Sequence, residues 1–127
     1  MKRNRDFSRV YRLGTYRSGQ QVGLHFYRHR GPYAKQAPRI GFTVSRAIRG
    51  AVPRNRAKRL LRESFRLSGV QLTPGYDLIV TARWGPGQEP ALTGLTDTVG
   101  QLIAGSGAGY LNQEPRENIG SFARDDE

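Results

Sequence analysis

His25 and His29 lie four residues apart in a stretch that alternates, so a continuing strand would turn both imidazoles to one side. Paired imidazoles can act as base and acid on a phosphodiester, and clustered carboxylates can hold the ions of a two-metal hydrolase. The carboxylates up to the end of the last alternating or apolar strand, residues 1–83, are Asp6, Glu63 and Asp77, and no motif fixes any of them, or a lysine, beside the histidines. Hydrolysis by the protein alone is therefore not expected. The stronger chemical signal is anion binding. From Val52 to Arg66, basic and apolar residues interleave at helical spacing. Ala57, Leu60, Leu61, Ser64 and Phe65 form a core-facing stripe, while Arg54, Lys58, Arg62 and Arg66 recur every four residues on another face. Pro53 suits a first helical position, which predicts Arg54-Asn55-Arg56 in the first turn. Free backbone N–H groups there would add to the basic side chains in holding phosphate.

Charge distribution narrows the partner. The chain has 127 residues and a net charge of +11, with 18 arginines against 3 lysines. Residues 1–70 carry 18 Lys and Arg against Asp6 and Glu63, a net of +16, whereas residues 71–127 carry 3 against 8, a net of −5. A region this basic repels itself unless it sits against a polyanion, so nucleic acid is the leading partner and anionic lipid the lesser one. Arginine's planar fork suits phosphate contacts and base stacking. There is no cysteine, so neither a disulfide frame nor a thiolate metal site is available. No apolar run approaches the roughly 18 residues of a membrane span. Residues 1–6 lack the apolar core of a signal peptide, so a cytoplasmic protein is expected.

The elements that must position these groups can be read in turn. Phe7, Val10 and Tyr11 at helical spacing predict a short amphipathic helix over 6–13 ended by Gly14. Its aromatic edge could be ordinary core, or a platform for unpaired bases. Residues 21–28 alternate, with Val22, Leu24 and Phe26 on one side and Gly23, His25 and Tyr27 on the other; residues 39–46 alternate again, with Ile40, Phe42 and Val44 opposite Gly41, Thr43 and Ser45. Paired as a hairpin, these strands would show one polar, partly aromatic face bearing His25, Tyr27, Thr43 and Ser45, of the kind that binds single strands. An ordinary solvent-facing side of an antiparallel sheet is the plain alternative. Residues 76–83 form a near-continuous apolar run that predicts a central strand, joined through the basic helix by a crossover and hence parallel to its partner. Leu92, Leu95, Val99, Leu102 and Ile103 predict a second packing helix, weakened by Gly94 and Gly100. One domain over 1–104 is expected, followed by a flexible acidic tail over 105–127.

The run Gly50-Ala51-Val52-Pro53-Arg54-Asn55-Arg56-Ala57-Lys58-Arg59-Leu60-Leu61-Arg62-Glu63 closely resembles the Arg-Asn-Arg signature of the bacterial ribonuclease P protein subunit. The stretches around Phe7, Tyr11 and Gly14, the strand from Arg39 and the strand from Tyr76 follow in the family's order and spacing, so the likeness covers about residues 3–104. The resemblance implies an α+β single domain of α-β-β-β-α-β-α order, with helices packed on one mixed sheet and a left-handed crossover through the basic helix. That handedness runs against the general right-handed rule. It further implies a small protein partner of a catalytic RNA that removes 5′ leaders from precursor transfer RNA. Contacts to ribonuclease P RNA would fall to Arg46, Arg54, Asn55, Arg56, Lys58, Arg59, Arg62 and Arg66, and contacts to the leader to Phe7, Tyr11, His25, Tyr27 and Thr43. Mg²⁺ would be held mainly by the RNA, with no catalytic or metal-ligating residue on the protein, no membrane contact and no obligate protein partner. The chain departs from the family at Arg49, where a glycine is common, and at His25, where an aromatic such as tyrosine is frequent. A structural ribosomal-RNA-binding or ribosome-associated protein of similar fold is the alternative.

Overall fold

The computed structural model describes residues 4–111. Helix α1 (Asn4–Leu13) leads into strands β1 (Thr15–Gly19) and β2 (Val22–Arg28). A short 3-10 turn, Gly31–Tyr33, precedes β3 (Arg39–Val44). Helix α2 (Ala51–Ser68) is followed by β4 (Val70–Leu72), β5 (Tyr76–Ala82), α3 (Leu92–Ser106) and β6 (Gly109–Leu111). Four strands form one sheet in the order β1-β2-β5-β3, and β4 pairs with β6 in a separate two-stranded ribbon.

The apolar strand from Tyr76 is indeed central and runs parallel to β3, with Ile40 opposite Leu78 and Thr43 opposite Thr81. The hairpin reading of β2 and β3 is corrected, because β5 inserts between them, antiparallel to β2 with His25 opposite Ile79. Residues 31–38 give the chain the length to step over the position that β5 later fills. The polar face survives this correction, since the register brings His25, Tyr27, Asp77, Ile79, Arg39 and Thr43 to the same side of the sheet.

Pleating sends Val22, Leu24, Leu78, Val80 and Ala82 to the opposite face, where they meet Ala57 and Leu61 of α2 and Leu95, Val99 and Ile103 of α3. Each fully buried aliphatic side chain there contributes about 1.5–3 kcal/mol relative to exposure. The α2 stripe holds as read from its spacing, with Ala57, Leu61 and Ser64 buried and the Phe65 ring 6.0 Å from that of Phe42. Gly100 is buried where α3 crosses α2, and a Cβ there would stand 3.1 Å from Ser68 Cβ. The glycine that lowers helix propensity is thus what lets the two helices approach. Helix α1 covers the other face, with Val10 fully buried against the sheet.

Residues 105–111, assigned to the tail by composition, instead complete α3 and form β6, which pairs with β4. The remainder of the expected tail, 112–127, lies outside the described residues. Among the described residues no helix is long and apolar enough to cross a membrane.

Candidate nucleic-acid interface

Two surfaces carry the predicted site residues, one on each face of the sheet. The first belongs to α2. The helix begins at Ala51, with Gly50 as its N-cap at φ 94°, a left-handed conformation that favours glycine. Pro53 therefore sits two residues deeper than its first-position reading needs, still within the turn whose N–H groups have no helical partner. The Arg54-Asn55-Arg56 triplet lies beyond that turn rather than in it, a correction to its expected place.

The three members of the triplet have different jobs. Arg54 turns back onto the β3–α2 link, its Nη1 donating to the carbonyls of Ser45 (3.0 Å) and Ile48 (2.9 Å) and its Nη2 to that of Val44 (2.9 Å). Asn55 is exposed. Arg56 makes a bidentate pair with Glu89 in the loop before α3, at 2.8 Å and 3.0 Å. Further along, Arg59 and Arg62 are exposed and Lys58 is half-buried, and none has an ion pair among the described residues. Arg66 is exposed and pairs with Glu63 one turn back. Arg46 is exposed on the link. The outer ridge of α2 thus runs through Asn55, Arg59, Arg62 and Arg66, and Arg54 is a structural clamp beside it.

The second surface lies between α1 and the sheet. Tyr11 is 45% exposed, and its ring meets His25 edge-on at 4.7 Å. Tyr16 of β1, directly opposite His25 in the register, approaches the same imidazole at 4.6 Å. The Arg83 guanidinium sits over the Tyr16 ring, 5.8 Å from its centre. Gly23 makes room for this ring, because a Cβ there would stand 2.8 Å from the Tyr16 hydroxyl. Burial, and then the charge of Arg83, lower the His25 pKa, which keeps the imidazole neutral near pH 7. Its Nδ1 is buried without a hydrogen-bond partner. Phe7 is half-buried on α1, and Thr43 exchanges a 2.8 Å hydrogen bond with Thr81. Tyr27 packs edge-on against His29 at 4.8 Å. Beside it opens a cleft of about 510 Å³ whose walls include Arg9, Arg30, Tyr33 and Arg39.

Beneath that cleft lies a buried charged network. Asp77 is fully buried; its Oδ2 accepts from His29 Nε2 at 2.8 Å and Arg39 Nη2 at 2.7 Å, and its Oδ1 accepts from Arg39 Nε at 3.0 Å. Arg39 also reaches Asp6 of α1 at 3.4 Å, which ties the helix to the sheet. Burial pushes the Asp77 carboxyl up, but the hydrogen bonds from Arg39 and then His29, with their charges, bring it below its ordinary value. A carboxylate therefore does stand beside one of the two histidines, brought there by strand pairing rather than by a local motif. The histidines do not form a pair with each other's neighbours: His25 belongs to the tyrosine cluster and His29 to the Asp77 network. Both oxygens of Asp77 are committed, and no three potential ligands cluster for a metal among the described residues.

Sequence reasoning missed Tyr16, Arg83, Glu89 and the Asp77 network. Tyr16 lies on a strand without apolar alternation, and the other contacts join residues distant in sequence, so only the pairing register brings them together.

The ribonuclease P family model matches residues 1–103. The ribonuclease P protein component of Pelotomaculum thermopropionicum is 41% identical over 83 residues, covering 65% of this chain and 70% of the relative. That of Caldanaerobacter subterraneus is 39% identical over 83 residues, covering 65% and 68%. Among solved structures, the RNase P protein of Staphylococcus aureus superimposes with a TM-score of 0.68 at 25% identity over 85% of this chain and 94% of that one. These likenesses favour ribonuclease P over the ribosome-associated alternative. A specific fourteen-residue motif, the observed strand order and the family match over residues 1–103 agree, and the chain belongs to the bacterial ribonuclease P protein family.

Proposed function

We propose that the chain grips the catalytic RNA of ribonuclease P with the outer ridge of α2, and holds the 5′ leader of precursor transfer RNA in the cleft between α1 and the sheet. The observation that carries this division is the placement of two cation-rich surfaces on opposite faces of one sheet, of which the α1 face presents exposed tyrosine rings, Tyr11 and Tyr16, clustered on His25. Unpaired bases stack on aromatic rings, which suits the α1 face to a single-stranded leader. A structured RNA is met through its phosphates, which suits the arginine ridge. The RNA performs hydrolysis with its own Mg²⁺. The protein neutralises phosphates, orients the leader and raises substrate affinity, and it works in the cytoplasm.

Reconstitution tests this reading. Added to a bacterial ribonuclease P RNA at low Mg²⁺, the protein should restore 5′ maturation of precursor transfer RNA. Failure at protein excess, with the RNA active at high Mg²⁺, would overturn it.

A further inference from the structure

An apolar cleft of about 500 Å³ opens where α2 begins, between the β3–α2 link and the loop that follows β5. Its volume lies in the range of roughly 300–1,000 Å³ typical of ligand sites. Trp84 and Ile48, 4% and 6% exposed, form its floor. Val52 and Pro86 form its walls, and Val52 is 77% exposed, the highest value among the exposed large apolar residues of the described chain. The mouth is cationic, with Arg49 and Arg56 lining it, and Glu89 holds Arg56 across it.

We infer that this cleft takes an unstacked nucleobase of the catalytic RNA, with the phosphates on either side of that base held by Arg49 and Arg56. The inference rests on the reading that α2 faces that RNA. An apolar slot with positive charge at its lip calls for an occupant with an apolar face and negative flanks, and an extruded nucleotide has both. The cleft is also continuous with the α2 ridge, since Asn55 and Arg59 follow Arg56 on the exposed side of the helix. Glu89 occupies Arg56 in the free protein through the same bidentate geometry that a phosphate would use, so binding exchanges one anion for another. Arg49, which stands where the family commonly has glycine, becomes a phosphate contact of this chain.

Trp84 is the only tryptophan in the chain, so its emission reports on the floor of this cleft alone. The full-length protein is titrated with ribonuclease P RNA while the intensity of Trp84 emission is followed, for the native chain and for Val52→Ser and Arg62→Ala. Saturating RNA should quench Trp84 emission in the native protein, because a base seated on the floor of the cleft lies against the indole. Val52→Ser should lose that quenching and bind the RNA about five- to tenfold more weakly with an unchanged salt slope, because it removes apolar contact and no charge. Native affinity in Val52→Ser, or a Trp84 emission that saturating RNA leaves unchanged, overturns the inference. A change in Trp84 emission with a Leu- and Glu-rich peptide but not with RNA would also overturn it and assign the cleft to a protein partner. If Arg62→Ala weakens RNA binding while Val52→Ser does not, the base slot fails and the α2 face stands. If neither weakens it, the assignment of α2 to the RNA fails as well.

Discussion

Replacing Arg54 should unfold the protein more than it should loosen RNA. Its guanidinium is the donor for the carbonyls of Val44, Ser45 and Ile48 at 2.9–3.0 Å. Truncation to alanine leaves the Val44 and Ile48 carbonyls without this donor, while Ser45 still accepts from the Ile48 N–H at 3.2 Å. Hydrogen bonds from a charged donor contribute about 1.5–3 kcal/mol each, and water reaching the half-buried link recovers part of the loss, so Arg54→Ala should cost about 2–4 kcal/mol. A domain of this size shifts by about 4 °C per kcal/mol, so thermal unfolding followed by circular dichroism should fall by roughly 8–16 °C. Arg54→Lys keeps the charge but loses the planar fork, so it should lie between the two in stability and keep near-native RNA affinity below its melting point. The reasoning is refuted if Arg54→Ala melts within about 2 °C of the native protein and loses RNA affinity as Arg59→Ala does.

Two further outcomes follow from the same geometry. Asp77→Asn removes the charge that faces Arg39 and His29, and should destabilise by about 2–4 kcal/mol, less than for a fully enclosed pair because Arg39 is 36% exposed. Because the native Asp77 carboxyl sits below its ordinary 3.8, its contribution is whole above about pH 4 and is lost as pH falls through the folded value; melting temperature against pH should show that loss in the native chain and lack it in the Asn variant. Arg59→Ala and Arg62→Ala, both exposed and without ion pairs among the described residues, should leave the melting temperature nearly unchanged and lower the salt slope of RNA binding by about one each; a slope equal to the native one would remove them from the interface.

How far the sequence shows this architecture depends on whether a contact is periodic or paired. The α2 stripe and the central position of β5 are legible because burial imposes a period on one segment at a time. The β2–β5–β3 order is not, because β5 lies some fifty residues downstream of β2, and two alternating neighbours suggest a hairpin with equal force. Strand β1 is almost wholly exposed and has no apolar alternation to announce it. The basic residues of α2 do not share one face, because steps of four residues turn about 40° beyond a full circle, so Arg54 and Arg66 end about 120° apart, one against the link and one outward. The buried Asp77 network is a meeting of residues from α1, β3, β5 and the β2 exit, which no local pattern encodes. His25, Tyr27 and Thr43 share one face of the sheet, where Tyr11 of α1 meets His25 and the register adds Tyr16.

The assignment of separate faces to leader and catalytic RNA is tested most directly by comparing the affinities of reconstituted holoenzyme for precursor and mature transfer RNA, with native protein and with Tyr11→Ala. Tyr11 is an exposed ring on the α1 face, and one lost base stack is worth about 1–3 kcal/mol. The account predicts that Tyr11→Ala weakens precursor binding at least fivefold, leaves mature transfer RNA binding unchanged, and assembles with the catalytic RNA as the native protein does. An equal loss for both transfer RNAs, or a loss of assembly, would contradict it.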